Sequence, residues 1–558
     1  MSLYEKHRLL LEAAIEALHA RTFYAAFPEN PSPKTYGETA DADGKTAFEA
    51  ALGKPFAGLL QANADTWAGE ETSPYTQESL NVSYPIYSTA TLIDNAKSSQ
   101  KSWAKASAET RAGILVESLM RMQSRFFEIA YATMHTTGQG YMMAFQASGP
   151  HAADRALEAI AAGYEELKRF PDATLWDKPM GKFNIQLNKT WRAVPKGVSL
   201  VVGCSTFPTW NTVPGMYASL MTGNPVIVKP HPKAVLPIAI VIAELQAVLK
   251  ENGFAPEVCQ LAADTQNHLI TKELAEHQDI KLIDYTGGSV FGNYLETLHN
   301  KTIFTEKAGV NSVILDSVTD LDAVLNNLAF SVCLYSGQMC TAPQNFFVPS
   351  TGVKTPNGQV SFEEVAEKFA ACLRGVTQNP KAAPFVLGAI QNPATSERIH
   401  NVNGLGSAIV LASEKLENPQ FPNARTATPV ILKVKATDKA VFSKELFGPI
   451  ALLIETENTA QSVALAKEMA LEHGAISCGA YTTDAKTQEF IMDEMAEACT
   501  PVSFNLTGGI YLNQHASFSD FHVTGGNPAG NASFTNPEYV IKRFTWVGFR
   551  QPVEAAAV

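Results

Sequence analysis

GVSLVVGCSTFPTWNTVPGMYASLMTGNPVIVK, residues 197–229, opens and closes in runs of β-branched and aliphatic residues with a helical stretch between them. Strand, helix, strand at this length is the pattern of a right-handed βαβ unit, whose parallel strands are covered on both faces. The same period continues outward. VCQLAA (258–263) and KLIDYTG (281–287) read as further strands, and VLPIAIVIAELQAVLKENG (235–253) as a helix closed by Gly253. A second alternating set begins at NSVILD (311–316) and runs through QNFFV (344–348), GPIALLIE (448–455), GAISCGAY (474–481) and PVSFN (501–505). The expected fold is α/β, with two Rossmann-like open parallel-sheet domains in tandem. Residues 88–170 read as helical throughout. Residues 1 to about 80 look separate, a helix followed by the connector FPENPSPKTYGETADADGK. The tail EYVIKRFTWVGFR (538–550) alternates apolar and polar residues and reads as an edge strand free to pair.

Bulk properties narrow the function classes. A chain of 558 residues exceeds what one core covers. A net charge of −12, from 43 basic and 55 acidic residues, argues against a nucleic-acid or anionic-membrane surface. Seven scattered cysteines with no C-x-x-C pair are reduced-compartment usage rather than a disulfide framework. The longest apolar run, 234–243, is too short to span a bilayer, and the charged N-terminal helix is not a signal peptide. A soluble, cytoplasmic protein is expected. No metal site is expected, because neither H-E-x-x-H nor a Cys/His cluster is present.

Five short stretches carry candidate chemistry. In VCLYSGQMCTAPQNFF (332–347), Cys333 continues an apolar stripe that begins at Leu321, and Gly337 reads as the helix end. Cys340 then lies in a small polar turn where a thiol can be reached, so Cys333 reads as core and Cys340 as the reactive candidate. In DYTGGSVFGN (284–293) a strand ends in two glycines and a helix opens near Gly292, a turn that can cradle a phosphate or merely connect two elements. Lys229 ends the strand PVIVK, and Glu306 ends a short β-type run in FTEKAGVNSVIL. Glu445 and Phe447 share the loop KELFGP (444–449). Singly, each of these also has an ordinary structural reading.

Their order and spacing are more specific. With KP at 229–230, TGGSVFG at 286–292, E-K-A-G-x-N at 306–311, G-Q-x-C at 337–340 and E-x-F-G-P at 445–449, the chain from about 88 to 550 resembles the aldehyde dehydrogenase superfamily. The resemblance implies a cofactor-binding domain over 86–305 with a strand excursion near 178–195, and a catalytic domain over 306–510. An N-terminal extension over 1–85 and a β oligomerisation segment over 511–558 complete the expected architecture. It implies Cys340 as the nucleophile that attacks the aldehyde and Glu306 as the general base that activates water against the resulting thioester. Lys229 would bind the adenine-side ribose or its phosphate. Gly287 and Gly292 would flank the pyrophosphate turn, Glu445 would hold the nicotinamide ribose, and Phe447 would pack beside the nicotinamide. A homodimer or homotetramer is implied.

Two departures stand out. Most members carry an asparagine that donates to the oxyanion at the position of Thr206, pinned here by its spacing to Lys229. Either Thr206, the nearby Asn211 or the Cys340 backbone N–H takes over that role. NAD-preferring members often carry a glutamate where this chain has Pro232, so NADP is the expected cofactor, with NAD the alternative. The N-terminal stretch and CSTFPTWN are similar to the phenylacetate-degradation aldehyde dehydrogenases. That similarity implies a ring-opened, CoA-linked semialdehyde as substrate, oxidised to 3-oxo-5,6-dehydrosuberyl-CoA, and a separate ring-opening hydratase, since the chain ends soon after the edge-strand pattern. The rivals are a CoA-acylating dehydrogenase, which usually lacks the base glutamate, and a non-catalytic homologue.

Overall fold

A computed structural model describes residues 1–553 apart from 308, 514–516, 519–524 and 533–535. The remainder of the expected C-terminal segment, and Ala308 of the E-K-A-G-x-N stretch, lie outside the described residues.

The two expected parallel sheets are present. The first orders its strands Cys259–Leu261, Val226–Lys229, Val198–Val202, Ile280–Gly287 and Thr302–Lys307, all parallel. Val226–Lys229 is buried at every position, as a strand covered on both faces must be. The second sheet orders seven strands: Ala408–Leu411, Val430–Lys435, Ile450–Thr456, Asn345–Pro349, Ser312–Leu315, Cys478–Tyr481 and Val502–Phe504. Only the edge strand Ala408–Leu411 pairs antiparallel. It and Val430–Lys435 have no counterpart among the strands read from sequence.

Beside the first sheet stands a three-stranded antiparallel ribbon of Ala173–Pro179, Asn184–Pro195 and Phe544–Pro552. The tail is thus only partly a strand. Glu538–Ile541 is a helical turn, and pairing begins at Phe544. The reason is Arg543, which is fully buried and makes a two-pronged ion pair at 2.6 and 2.7 Å with Asp284, with Tyr539 also donating to that carboxylate. That lock turns the chain before the strand starts.

The first 85 residues are wound into the rest of the molecule. Helix Leu3–Ala20 buries Leu11, Ala14 and Ala17 in the core shared with helices Ala108–Gln123 and Pro150–Lys168. Gln61 donates to the Leu261 carbonyl and accepts from the Leu261 N–H, satisfying the free edge of the first sheet. Glu71 is buried and accepts from the Val235 and Leu236 N–H groups at the start of helix Leu236–Glu251, and from the Tyr84 hydroxyl. It thereby supplies a cap that this helix lacks locally.

Candidate active site

Helix Leu321–Cys333 packs its apolar stripe, Cys333 included, into the core beside the second sheet. It ends four residues before Gly337. A 3₁₀ turn follows, Leu334–Gly337, in which Tyr335, Ser336 and Gly337 take φ of 52°, 50° and 60°. Two non-glycine residues in the left-handed region need support, and they have it. The Tyr335 hydroxyl donates to the Thr137 carbonyl and the Ser336 hydroxyl to the Leu387 carbonyl. Gly337 is required for a second reason, since a Cβ there would lie 2.5 Å from the Gly448 carbonyl oxygen.

This turn delivers Cys340 to a fixed position. Buried Asn311 clamps it, donating at 2.7 Å to the Cys340 carbonyl and at 3.0 Å to that of Ala342. The same side chain accepts from the Ile476 and Ser477 N–H groups at 3.0 and 3.1 Å. Burial pushes the Cys340 thiol well up from its ordinary value, and the Glu306 carboxylate, which repels the thiolate and hydrogen-bonds the thiol, pushes it further; Cys204 and Glu445 add smaller effects in the same direction. Glu306 and Glu445, from two separate stretches of chain, are therefore both brought within electrostatic reach of Cys340.

Asn211 donates to Glu306 at 3.1 Å and accepts from the Cys204 thiol at 3.6 Å. Thr206 is turned elsewhere. Its hydroxyl engages the Cys204 sulfur, and its carbonyl accepts from Gln139. Asn211, not Thr206, lines a cavity of about 350 Å³ that also includes Cys340. Apolar and aromatic side chains dominate its wall, among them Met143, Phe207, Trp210, Phe330 and Tyr511. Half-exposed Met142 and exposed Phe385 mark its opening, beside Glu29 of the N-terminal segment, which pairs with His151 at 2.7 Å.

The remaining candidates divide between two faces. Burial pushes Glu445 up to about 7, against the pull of Arg398 and the Gly309 N–H. The neighbouring Phe447 is half-buried, and its carbonyl accepts from Arg398. Gln344 fixes this loop by accepting from the Leu446 N–H and donating to the Lys444 carbonyl. Lys229 and Gly287 sit at the carboxyl ends of their strands, on the edge where open α/β sheets take ligands. Gly292 does not flank the turn. Helix Ser289–Glu296 opens at the N-cap Gly288, and Gly292 lies a turn inside it, where a Cβ would strike the Lys307 side chain at 2.5 Å. Its lack of a side chain makes room for Lys307, which pairs with Glu296 at 2.9 Å.

A dinucleotide fits this edge. The helix behind Gly287 opens without a side-chain cap, so its N-terminal dipole faces the strand ends. Lys229 is buried and lies 2.7 Å from Asp264, which follows the neighbouring strand Cys259–Leu261 and is itself buried. A carboxylate thus stands beside the lysine despite Pro232, contrary to the sequence argument that none would oppose a 2′-phosphate. Burial and the neighbouring lysines also push His231 down to about 4, leaving it neutral near pH 7.

Asn211 and Asp264 are functional candidates that the sequence reading weighed lightly or missed, and Arg155 is a third. The signal for Arg155 was a group of charges, Asp154, Arg155 and Glu158, within an alanine-rich helix, ADRALEA (153–159). Among the described residues, no helix is long and apolar enough to cross a membrane, and no cluster of His, Cys, Asp and Glu could hold a metal ion.

The sequence model described as "Aldehyde dehydrogenase family" matches residues 70–545. A solved NAD-dependent aldehyde dehydrogenase from Burkholderia multivorans is 44% identical, superposes with a TM-score of 0.97, and is covered in full, as is this chain. Benzaldehyde dehydrogenase [NAD(+)] of Pseudomonas putida is 23% identical over 80% of this chain and 87% of its own length. Alpha-ketoglutaric semialdehyde dehydrogenase of Bacillus subtilis (strain 168) is 23% identical over 68% of this chain and 74% of its own.

Proposed function

The chain belongs to the aldehyde dehydrogenase family, and from that premise we propose that it oxidises bulky apolar aldehydes to carboxylic acids through a thioester on Cys340. The observation that carries the proposal is the hydrogen-bonded pair of Cys340 and Glu306, with the thiol on the wall of an apolar cavity. Glu306 takes the thiol proton, and the Cys340 sulfur adds to the aldehyde carbon. Asn211, on the same wall, is the amide placed to donate to the oxygen that becomes negative. A nicotinamide cofactor, when bound, supplies the hydride acceptor. Glu306 releases the thiol proton to solvent and then draws a proton from water, which attacks the thioester; that proton returns to the departing sulfur and frees Cys340. A base beside the sulfur favours hydrolysis over transfer of the acyl group to CoA.

Lys229, Gly287 and the helix behind it would hold the adenine half, with Glu445 and Phe447 on the nicotinamide side. Asp264 beside Lys229 and a neutral His231 favour NAD over NADP, because a 2′-phosphate would meet a carboxylate and gain no cation from His231. The relatives from Burkholderia multivorans and Pseudomonas putida carry NAD in their names.

The wall of Met, Phe, Trp and Tyr suits an aromatic or long acyl body. A ring-opened CoA-linked semialdehyde belongs to that class, its acyl arm inside and its nucleotide beyond the opening. Exposed Leu175, Ile185 and Phe549 on the three-stranded ribbon suit pairing with a second copy into a homodimer or homotetramer.

The experiment is cofactor reduction followed by absorbance, with NAD or NADP and a panel of aromatic, aliphatic and CoA-linked aldehydes. Wild type should reduce NAD with the apolar members, and Cys340→Ala should be silent. Turnover surviving in Cys340→Ala, or none by wild type while cofactor still binds, would overturn the reading.

A further inference from the structure

Arg155 projects from helix Pro150–Lys168 into the centre of the molecule and is 4% exposed. It lines the cavity that contains Cys340, and also a smaller one of about 40 Å³ bounded by Glu306, Asp284 and Tyr539. Arg155 therefore borders both the cavity that contains the nucleophile and the one that contains the base. The carbon of its guanidinium is 3.7 Å from the centre of the Trp210 ring. A flat, weakly hydrated cation on an aromatic face can be buried at lower cost than an ammonium.

The charges around Cys340 make this position meaningful. Glu306 on strand Thr302–Lys307, Cys204 after strand Val198–Val202 and Glu445 before strand Ile450–Thr456 all oppose a negative sulfur. Among the described residues lining the cavity, Arg155 is the only lysine or arginine; Glu29 and His151 are its other charged or titratable groups besides Cys340 and Tyr511. Burial pushes the Arg155 guanidinium down from its ordinary value, and it is opposed first by Glu158 one turn along the helix, then by Glu306, Tyr539 and Cys340.

We propose that Arg155 is the electrostatic partner of the Cys340–Glu306 pair, its cation offsetting the carboxylate so that the sulfur can carry negative charge. When the S–H bond breaks and the proton passes to a Glu306 oxygen, the negative charge moves to sulfur beside the same guanidinium. Net charge is unchanged, and the cation serves both states. Arg155 acts through Cys340 and Glu306 and is a positioning residue. The inference rests on Cys340 being the nucleophile.

The test is iodoacetamide labelling of Cys340 in the cofactor-free protein across a pH series, read by peptide mass. Arg155→Met should raise the labelling midpoint by about one unit and slow labelling about tenfold at neutral pH, with the high-pH limiting rate unchanged. Arg155→Lys, which keeps the charge, should recover most of that loss. Glu158→Gln removes a carboxylate that competes for Arg155 and should move the midpoint downward. A merely structural arginine would change the limiting rate or the melting temperature but not the midpoint. An unshifted midpoint in folded Arg155→Met overturns the inference; if that variant does not fold, an unshifted Glu158→Gln does so. Wild-type Cys340 labelling no faster than the other cysteines would instead overturn the nucleophile reading, and this inference with it.

Discussion

Replacing Asn311 should uncouple the nucleophile from the fold. Its amide holds four backbone groups, donating to the part-buried carbonyls of Cys340 and Ala342 and accepting from the buried N–H groups of Ile476 and Ser477. Asn311→Ala leaves all four without that partner. Each unsatisfied buried group costs about 1–3 kcal/mol, and partial relaxation and entering water bring the sum to about 3–5 kcal/mol. Thermal melting should fall by about 5 °C or more. The two halves of the clamp can be separated. Asn311→Asp keeps both acceptor bonds but faces the Cys340 and Ala342 carbonyls with oxygen, so it should retain more stability yet release the Cys340 turn. Turnover should drop at least about a hundredfold in both variants, because a misplaced nucleophile forfeits its approach geometry. Melting curves and aldehyde-dependent cofactor reduction, run on the same preparations, check both halves. Asn311→Ala with turnover within about threefold of wild type and an unchanged melting temperature would refute the clamp.

Three further outcomes follow from single residues. Gly337→Ala should destabilise by about 1–3 kcal/mol and slow Cys340 labelling, because φ of 60° and the Gly448 carbonyl oxygen at 2.5 Å both oppose a Cβ; melting and labelling check it. Glu445, raised to about 7, holds its proton in the folded chain where an unfolded glutamate has lost it, so its contribution to stability declines as pH rises from about 4.5 to 7. Wild type should therefore lose up to about 3 kcal/mol relative to Glu445→Gln across that window, measured by denaturant unfolding at several pH values. Glu71→Ala strips the remote cap from helix Leu236–Glu251 and leaves the Tyr84 hydroxyl buried without its acceptor, an expected loss of about 2–4 kcal/mol by the same measurement. Glu71→Gln, which keeps an acceptor, should lose less.

The central strands were legible because they are apolar on both faces: VIVK, SVIL and NFFVP are each buried at every position. Ala408–Leu411 was missed although AIVL is apolar throughout; it is a four-residue, partly exposed edge strand, so its burial does not follow its sequence. Gly337 and Gly292 were both read as helix boundaries; Gly292 reflects close approach to the Lys307 side chain, and Gly337 both a φ of 60° and close approach to the Gly448 backbone. A glycine in a sequence does not say whether it frees φ or makes room for a neighbour. The family resemblance put Thr206 at the position of the oxyanion asparagine, with Asn211 and the Cys340 N–H as alternatives; the Thr206 hydroxyl turns to Cys204 while Asn211, five residues on, reaches the cavity wall.

Periodicity and motif spacing alone determined the two parallel sheets, the family, and the candidates Cys340 and Glu306, because local pattern records which face is buried and which chemistry a turn presents. Tertiary structure decided what those groups meet. Asp264 stands beside Lys229, Arg543 beside Asp284, Arg155 over Trp210, and Asn311 under the Cys340 turn. Each of these partners comes from a separate strand, helix or loop, Asn311 reaching its turn across a strand and a whole helix. Charges and hydrogen bonds in a low-dielectric interior act over a few ångströms of space. Distance along the chain does not report that separation; only the packed fold does.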